Sequence, residues 1–436
     1  MHRYLRLAGS VLAIAALAVL TIVLVLIVRG EQAKPQPISP ALQSPIATPT
    51  PVAPAPIPTL APTAIERCAF RASAASPVAG PSLDSYHFSE PQVVLTHTSA
   101  IGIAGWLPDG QRLLITRLIP PALTSEYVDT VDVTTGKLVS YGERHSFAAK
   151  PIWLASKHSV AMTDLVNQDI VLRINRQGGV PGVEPIPGLM SPYLAATSDG
   201  RRLAFLSKEA DLWPQMFDTS LSQRQMLPFA LPWISPAELL TLGQQDGPIP
   251  YQAAWLADGN RTAFYNDTGL YVVDLVASHI CEIDLGTRMD GKRWAVDVQW
   301  SPNGRFLAAL TTVGDPVVRF VDLTVIDMHT GETRLIKLGL QYLAAFSWDL
   351  DSHHLVVLAE AERSSRANQY DLYLVDIVTG DSRPVLQGYP LMFAGAYGIA
   401  WSPMGKAVAV ACPGVDSTSG AISEGRLCII RVEVKQ

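Results

Sequence analysis

A tryptophan followed four residues later by glycine is the phrase that most limits what this chain can fold into, because it returns. It stands complete at Trp106-Leu-Pro-Asp-Gly110, Trp255-Leu-Ala-Asp-Gly259, Trp300-Ser-Pro-Asn-Gly304 and Trp401-Ser-Pro-Met-Gly405. Looser copies are Trp153-Leu-Ala-Ser-Lys157, Ala196-Thr-Ser-Asp-Gly200 and Trp348-Asp-Leu-Asp-Ser352, the second of them without the indole. Successive starts are 47, 43, 59, 45, 48 and 53 residues apart. A repeat of that size is one supersecondary unit that cannot bury its apolar face alone and must stack on its neighbours.

Within a unit the pattern is that of strands. Val296-Asp-Val-Gln-Trp300 alternates, Pro302 presets φ for a turn, and Gly304 can take the positive φ such a turn needs. Phe306-Leu-Ala-Ala-Leu310 follows, apolar without a break, as in a strand buried on both faces. A second phrase closes the third strand, in Val131-Asp-Val-Thr-Thr-Gly136, Ile326-Asp-Met-His-Thr-Gly331 and Val375-Asp-Ile-Val-Thr-Gly380. Its aspartate, which recurs as Asp274, can accept a hydrogen bond from a backbone N–H two residues on, and glycine ends the hairpin. Thr333-Arg-Leu-Ile-Lys337 reads as a short fourth strand. The spacing predicts an all-β fold, a β-propeller of four-stranded blades. Seven blades are expected. A long insertion between Gln225 and Tyr251, in which Trp233-Ile-Ser-Pro236 reads as a degenerate half-repeat, leaves six or eight open.

The W-S-P-D-G-like turn before an apolar strand, and the V-V-D-L-x-T-G-like hairpin about 25 residues later, resemble the repeat of TolB-like (WD-repeat-like) β-propellers across residues 88–436. That resemblance implies a ring of radial four-stranded sheets. It leaves function wide, because such propellers serve as envelope scaffolds, sensors and accessory domains of peptidases. The second, third and sixth units depart from the pattern.

The N-terminal residues form two further segments. Leu7–Val28 holds no charged residue and is long enough, at ~1.5 Å per residue, to cross a ~30 Å hydrocarbon core as a helix. It lacks the short apolar core and Ala-x-Ala-like end of a cleaved signal, so residues 1–30 are read as a cytoplasmic tail and transmembrane anchor. Ten prolines fall in the 28 positions from Pro35 to Pro62, so 31–65 is read as an extended, disordered linker. Residues 66–436 are the propeller domain. Arg3 and Arg6 before the span nearly match Arg29 and Lys34 after it, which gives the positive-inside rule little to work on. The Pro/Thr stalk points to a single-pass cell-membrane protein whose C-terminal domain is extracytoplasmic.

Setting aside Arg3, Arg6, Arg29, Lys34 and Glu31 from the 33 basic and 39 acidic residues leaves 29 against 38, about −9. Such a surface repels phosphate backbones, and no nucleic acid partner is expected. Catalytic signatures are missing: no Gly-x-Ser-x-Gly nucleophile elbow, phosphate loop or His-Glu-x-x-His. No catalytic residue, metal site or cofactor is therefore assigned. Asp349-Leu-Asp351-Ser-His-His354 comes nearest to a metal cluster, but it replaces the Ser-Pro-x-Gly turn and is read as a surface turn.

Two readings remain. One is a scaffold or sensor that binds a protein, peptide or glycan ligand without chemistry. The alternative is a hydrolase or lyase acting on polysaccharide or peptide at the channel mouth. The first is favoured because the residues leading into each tryptophan are small or apolar, with Asp297 the one charge there. Connections from fourth strands to the next first strands ring the channel of a propeller, so Arg144, His145, Arg293 and Trp294 are the candidate binding residues. Gln92-Val-Val-Leu-Thr96, an orphan ahead of unit one, should supply the outer strand that the last unit lacks and so close the ring. Cys412 and Cys428, on successive strands with 15 residues between them, should form a disulfide. Cys68 and Cys281 show no comparable reason to pair.

Overall fold

The computed structural model describes residues 65–70 and 80–435, apart from short internal stretches and the longer run 227–251. The apolar segment 7–28, the linker and the insertion lie outside the described residues. Among the described residues no helix is long and apolar enough to cross a membrane.

Seven antiparallel sheets follow one another along the chain. Their first strands are Ile101–Trp106, Ile152–Leu154, Ala195–Ala196, Gln252–Trp255, Gly291–Trp300, Leu343–Trp348 and Ile399–Trp401. Six of these strands end on the residue that opens the repeated phrase, and the seventh, Ile152–Leu154, passes it by one residue. First strands touch at five of the seven blade boundaries, blades one and two meet through Leu138–His145 and Ser159–Val166, and blades five and six meet through Val321–Asp327 and Leu343–Trp348, so the contacts run right round a closed seven-bladed propeller with the first strands innermost.

Blade seven is built from both ends of the chain. Ile399–Trp401 and Ala407–Ala411 are followed by Ile422–Val434, which is 13 residues long and takes two partners end to end. Gln92–His97 pairs with one half of it, Gln92 opposite Ile429 and Thr96 opposite Arg426. Tyr86–Phe88 pairs with the other half, Tyr86 opposite Val434. The ring therefore closes as residues 92–96 suggested, and the closure reaches six residues further back. Joining the ends this way leaves no long unpaired edge in the last sheet.

The repeated residues explain one another across blade boundaries. Trp106, Trp300 and Trp348 each donate their indole N–H to a carbonyl of the preceding blade, Ala400, Ala254 and Gln299, at 2.9, 3.1 and 3.2 Å. Each acceptor is the residue just before that blade's own tryptophan. These three indoles thus bridge neighbouring blades as well as filling the core, whereas the buried Nε1 atoms of Trp255 and Trp401 have no hydrogen-bond partner among the described residues. The hairpin aspartates act locally. Asp132, Asp274 and Asp376 each accept two backbone N–H groups of their own turn, and Asp327 accepts that of His329.

The turn glycine answers to two constraints. Gly200 has φ +67, and a Cβ there would stand 2.6 Å from Leu154 Cα and 2.7 Å from Ala155 N, backbone atoms of the preceding blade. Gly304 seats against Leu256 and Gly110 against Met404 in the same sense. Gly200→Ala is expected to destabilise the protein by about 2–4 kcal/mol, since left-handed strain and an unyielding backbone clash add. Urea denaturation of the variant beside wild type measures this, and an unchanged midpoint would refute it.

Ahead of the closing strand, the chain crosses several blades. Glu66 and Cys68 hydrogen-bond Glu282 on the fourth strand of blade four, and Cys68 is disulfide-bonded to Cys281 there, Cα–Cα 4.7 Å. Phe70 then lies against Gly331 of blade five, and Gly80 against the turn Asp351–His354 of blade six. Cys412 and Cys428 are bonded as a diagonal pair rather than a directly opposed one: Val410 faces Cys428 in register, and the two Cα atoms are 5.9 Å apart.

Candidate functional site

Strands alternate in direction, so the Trp-to-Gly turns and the aspartate hairpins share one face of the ring. Connections from fourth to first strands share the other. Arg144 and His145 end the fourth strand of blade one, Leu138–His145, on that second face. Arg144 stands directly opposite Glu126 in register and is 1% exposed. Its Nε donates to Glu126 Oε1 at 2.7 Å, its Nη2 to the same oxygen, and its Nη1 to Thr163 O of blade two. Burial pushes the Glu126 carboxyl up although Arg144 opposes this, which marks an ion pair taken out of water. Arg144 is part of the blade seam.

His145 differs, with a side chain 56% exposed. Its backbone N–H and Nδ1 lie 2.9 and 3.0 Å from Asp164 Oδ1, while Arg173 Nη1 donates to Asp164 Oδ2. Burial alone would raise the Asp164 carboxyl, but the bonds from His145 and Arg173 outweigh it and hold it below the usual range. The result is an imidazole held at the surface by a buried, ionised carboxylate, a group that can exchange a proton or a hydrogen bond with a ligand.

Arg293 and Trp294 belong to the first strand of blade five. Arg293 is 7% exposed and its Nη2 meets Asp322 Oδ2 at 3.0 Å. The Trp294 side chain lies outside the described residues. Blades one and five are not neighbours, so the four candidate residues do not form one cluster.

The channel holds its own charge. A bulge between Ala295 and Asp297 shifts the register of the first strand of blade five, and Asp297 Oδ2 is 3.4 Å from Gln299 Nε2. Burial raises the Asp297 carboxyl, offset in part by Lys150. Lys150 precedes the first strand of blade two, three blades away, so this interaction crosses the ring interior. Where Ala196 stands in place of an indole, a recess of about 250 Å³ opens, lined by Ala196, Trp255, Gln299, Trp300, Ser347 and Trp348.

The sixth-unit turn is not the surface turn its sequence suggests. His354 is fully buried, Asp349 is 5% exposed, and Gly80 and Tyr86 lie over them. Tyr86 Oη sits 2.8 Å from Asp349 Oδ2, 3.0 Å from Asp351 Oδ2 and 3.1 Å from His354 Nδ1. The place a cation would occupy among these ligand atoms is held by a tyrosine hydroxyl, so the arrangement does not fit a metal. The visible signal was the unit's departure from Ser-Pro-x-Gly; the tyrosine that explains it lies 263 residues earlier.

No protein-family model matches the chain, and no curated protein matches it in sequence. Solved structures resemble it in part. TolB from Acinetobacter baumannii is 15% identical over 70% of this chain and 76% of its own, with a TM-score of 0.38. The Cps50 (Swd1) β-propeller domain of Myceliophteria thermophila is 12% identical over 80% and 100%, with a TM-score of 0.48. Oligogalacturonate lyase from Vibrio parahaemolyticus is 11% identical over 81% and 98%, with a TM-score of 0.49. None of these bears on activity or ligand.

Proposed function

We propose that the chain is a membrane-held, extracytoplasmic propeller that binds a protein, peptide or glycan through the face of its fourth-to-first-strand connections, without chemistry. The observation that carries this reading is the division of labour among the polar residues. Trp106, Trp300, Trp348 and Arg144 are bonded across blade boundaries and the hairpin aspartates and Arg293 within their own blades, whereas the His145 imidazole is anchored from below and open above. Recognition sites on rigid scaffolds have this form, with an exposed group fixed by buried partners. For location, the support is that all four cysteines are paired, since such bonds persist outside the reducing cytosol. The apolar segment 7–28 supplies the anchor in this reading.

A catalytic reading has one specific observation in its favour: Asp297, a carboxyl raised by burial within the ring, as general acids are. The full chain in detergent, incubated with a glycan and peptide panel, separates the two. Saturable binding without turnover, weakened by His145→Ala, is the expected result. Turnover abolished by Asp297→Asn would overturn the binding reading.

A further inference from the structure

We infer that the seat beneath the N-terminal strand is a proton-operated latch: Tyr86, Asp349, Asp351 and His354 hold the N-terminal segment to blade six most tightly once the cluster has taken up one proton. The argument is a count of hydrogens. Asp351 is well supplied, accepting the backbone N–H groups of His353 and His354 on Oδ1 at 2.8 and 3.1 Å, with His354 Nδ1 at 2.6 Å from Oδ2. Asp349, apart from the Tyr86 hydroxyl, receives among the described residues the Leu350 N–H on Oδ1. Between the two carboxylates stands one hydroxyl, with one hydrogen for two carboxylate oxygens at 2.8 and 3.0 Å. With both carboxylates ionised, one of them faces a tyrosine lone pair in a buried site, an arrangement that costs the desolvation of an unpaired charge. A proton on Asp349 Oδ2 removes the conflict. Asp349 then donates to Tyr86 Oη, Tyr86 donates to Asp351, and the chain of bonds is complete.

Other elements packed on the seat do not supply that proton. Arg383, on the fourth strand of blade six, donates its Nη2 to the Tyr86 carbonyl rather than to a carboxylate. The last strand of the chain sets Val434 and Val432 opposite Tyr86 and Phe88, with Glu433 opposite His87 on the other face. Blade seven brings Gly405 against Asp349, and the N-terminal segment brings Gly80 against His353 and His354. Asp349 is accordingly pushed up to about 6 by burial and by Asp351. Burial would raise Asp351 too, but the bonds from His354 and the His353 amide hold it at about 2.

The signs follow. Asp349, raised above its ordinary 3.8, stabilises the closed latch fully below about 4, and that contribution is lost as the pH rises through about 6. Asp351, depressed, contributes above about 4 and is lost as the pH falls toward about 2. Of the two carboxyls it is Asp349 whose contribution changes between pH 5 and pH 8, and opening should increase about tenfold over that interval.

Hydrogen–deuterium exchange of the full chain in detergent, corrected for intrinsic rates, tests this in peptides covering residues 80–90. Wild type should be about tenfold better protected at pH 5 than at pH 8. In Asp349→Asn the amide N–H can donate to Tyr86 as the protonated acid does, so protection should be high at both values. Should that variant misfold, Tyr86→Phe serves instead, with low protection at both. Equal protection of wild type at the two pH values, a tenfold difference surviving in either variant, or the same difference in strand Arg202–Leu206 would each overturn the latch.

Discussion

Cys68→Ser is expected to cost the propeller about 5 kcal/mol, more than any other single change considered, because its bond to Cys281 closes a loop of sequence separation 213. The loss of chain entropy grows only with the logarithm of loop length, so Cys428→Ser, which opens a separation of 16, should cost about 3 kcal/mol. The longer bridge also fixes where the N-terminal segment meets the ring. Glu66 and Cys68 then exchange backbone hydrogen bonds with Glu282 at 2.9 and 3.0 Å, and the segment passes on to blades five and six. In this arrangement a pull on the linker reaches blade four before it reaches the strands that close blade seven. Urea denaturation of both variants at equal slope measures the difference. A smaller shift for Cys68→Ser than for Cys428→Ser would mean that the segment is held by its other contacts.

Arg144→Ala should come next, at about 3–5 kcal/mol, because it leaves the buried Glu126 carboxylate without its partner. Replacing the pair together, as Glu126→Leu with Arg144→Met, should recover most of that loss, since two apolar side chains carry no desolvation penalty. His145→Ala should change stability by under about 0.5 kcal/mol, as expected for a mostly exposed side chain. Ligand binding is expected to respond in the opposite order once Arg144 variants are compared under conditions where they remain folded. Thermal unfolding of the three variants decides the first part. A tolerated Arg144→Ala would show that the charge is not needed between the blades.

The repeat made most of the ring legible. Trp300 and Gly304 marked the end of a first strand and the turn after it, and the same spacing located the others. The closing strand was legible because the last unit stopped one strand short while Gln92–Thr96 had no partner nearby. Three features were not. Arg144 and Glu126 lie on successive strands, and nothing in their alternation tells which of two charges points into a seam rather than into water. The pairing of Cys68 with Cys281 spans too much sequence to leave a local trace. Asp349 and Asp351 looked like an eroded turn because their partner, Tyr86, comes from the far end of the chain and reaches them only after the ring has closed.

Disulfide mapping on native membranes tests most directly the claim that this is a closed propeller presented outside a reducing compartment. Free thiols are alkylated first, the chain is digested without reductant, and the peptides are identified by mass spectrometry, with protease added to intact cells in parallel. The expected result is two linked pairs, Cys68 with Cys281 and Cys412 with Cys428, in a domain that external protease reaches. Four alkylated cysteines in a domain shielded from that protease would contradict it.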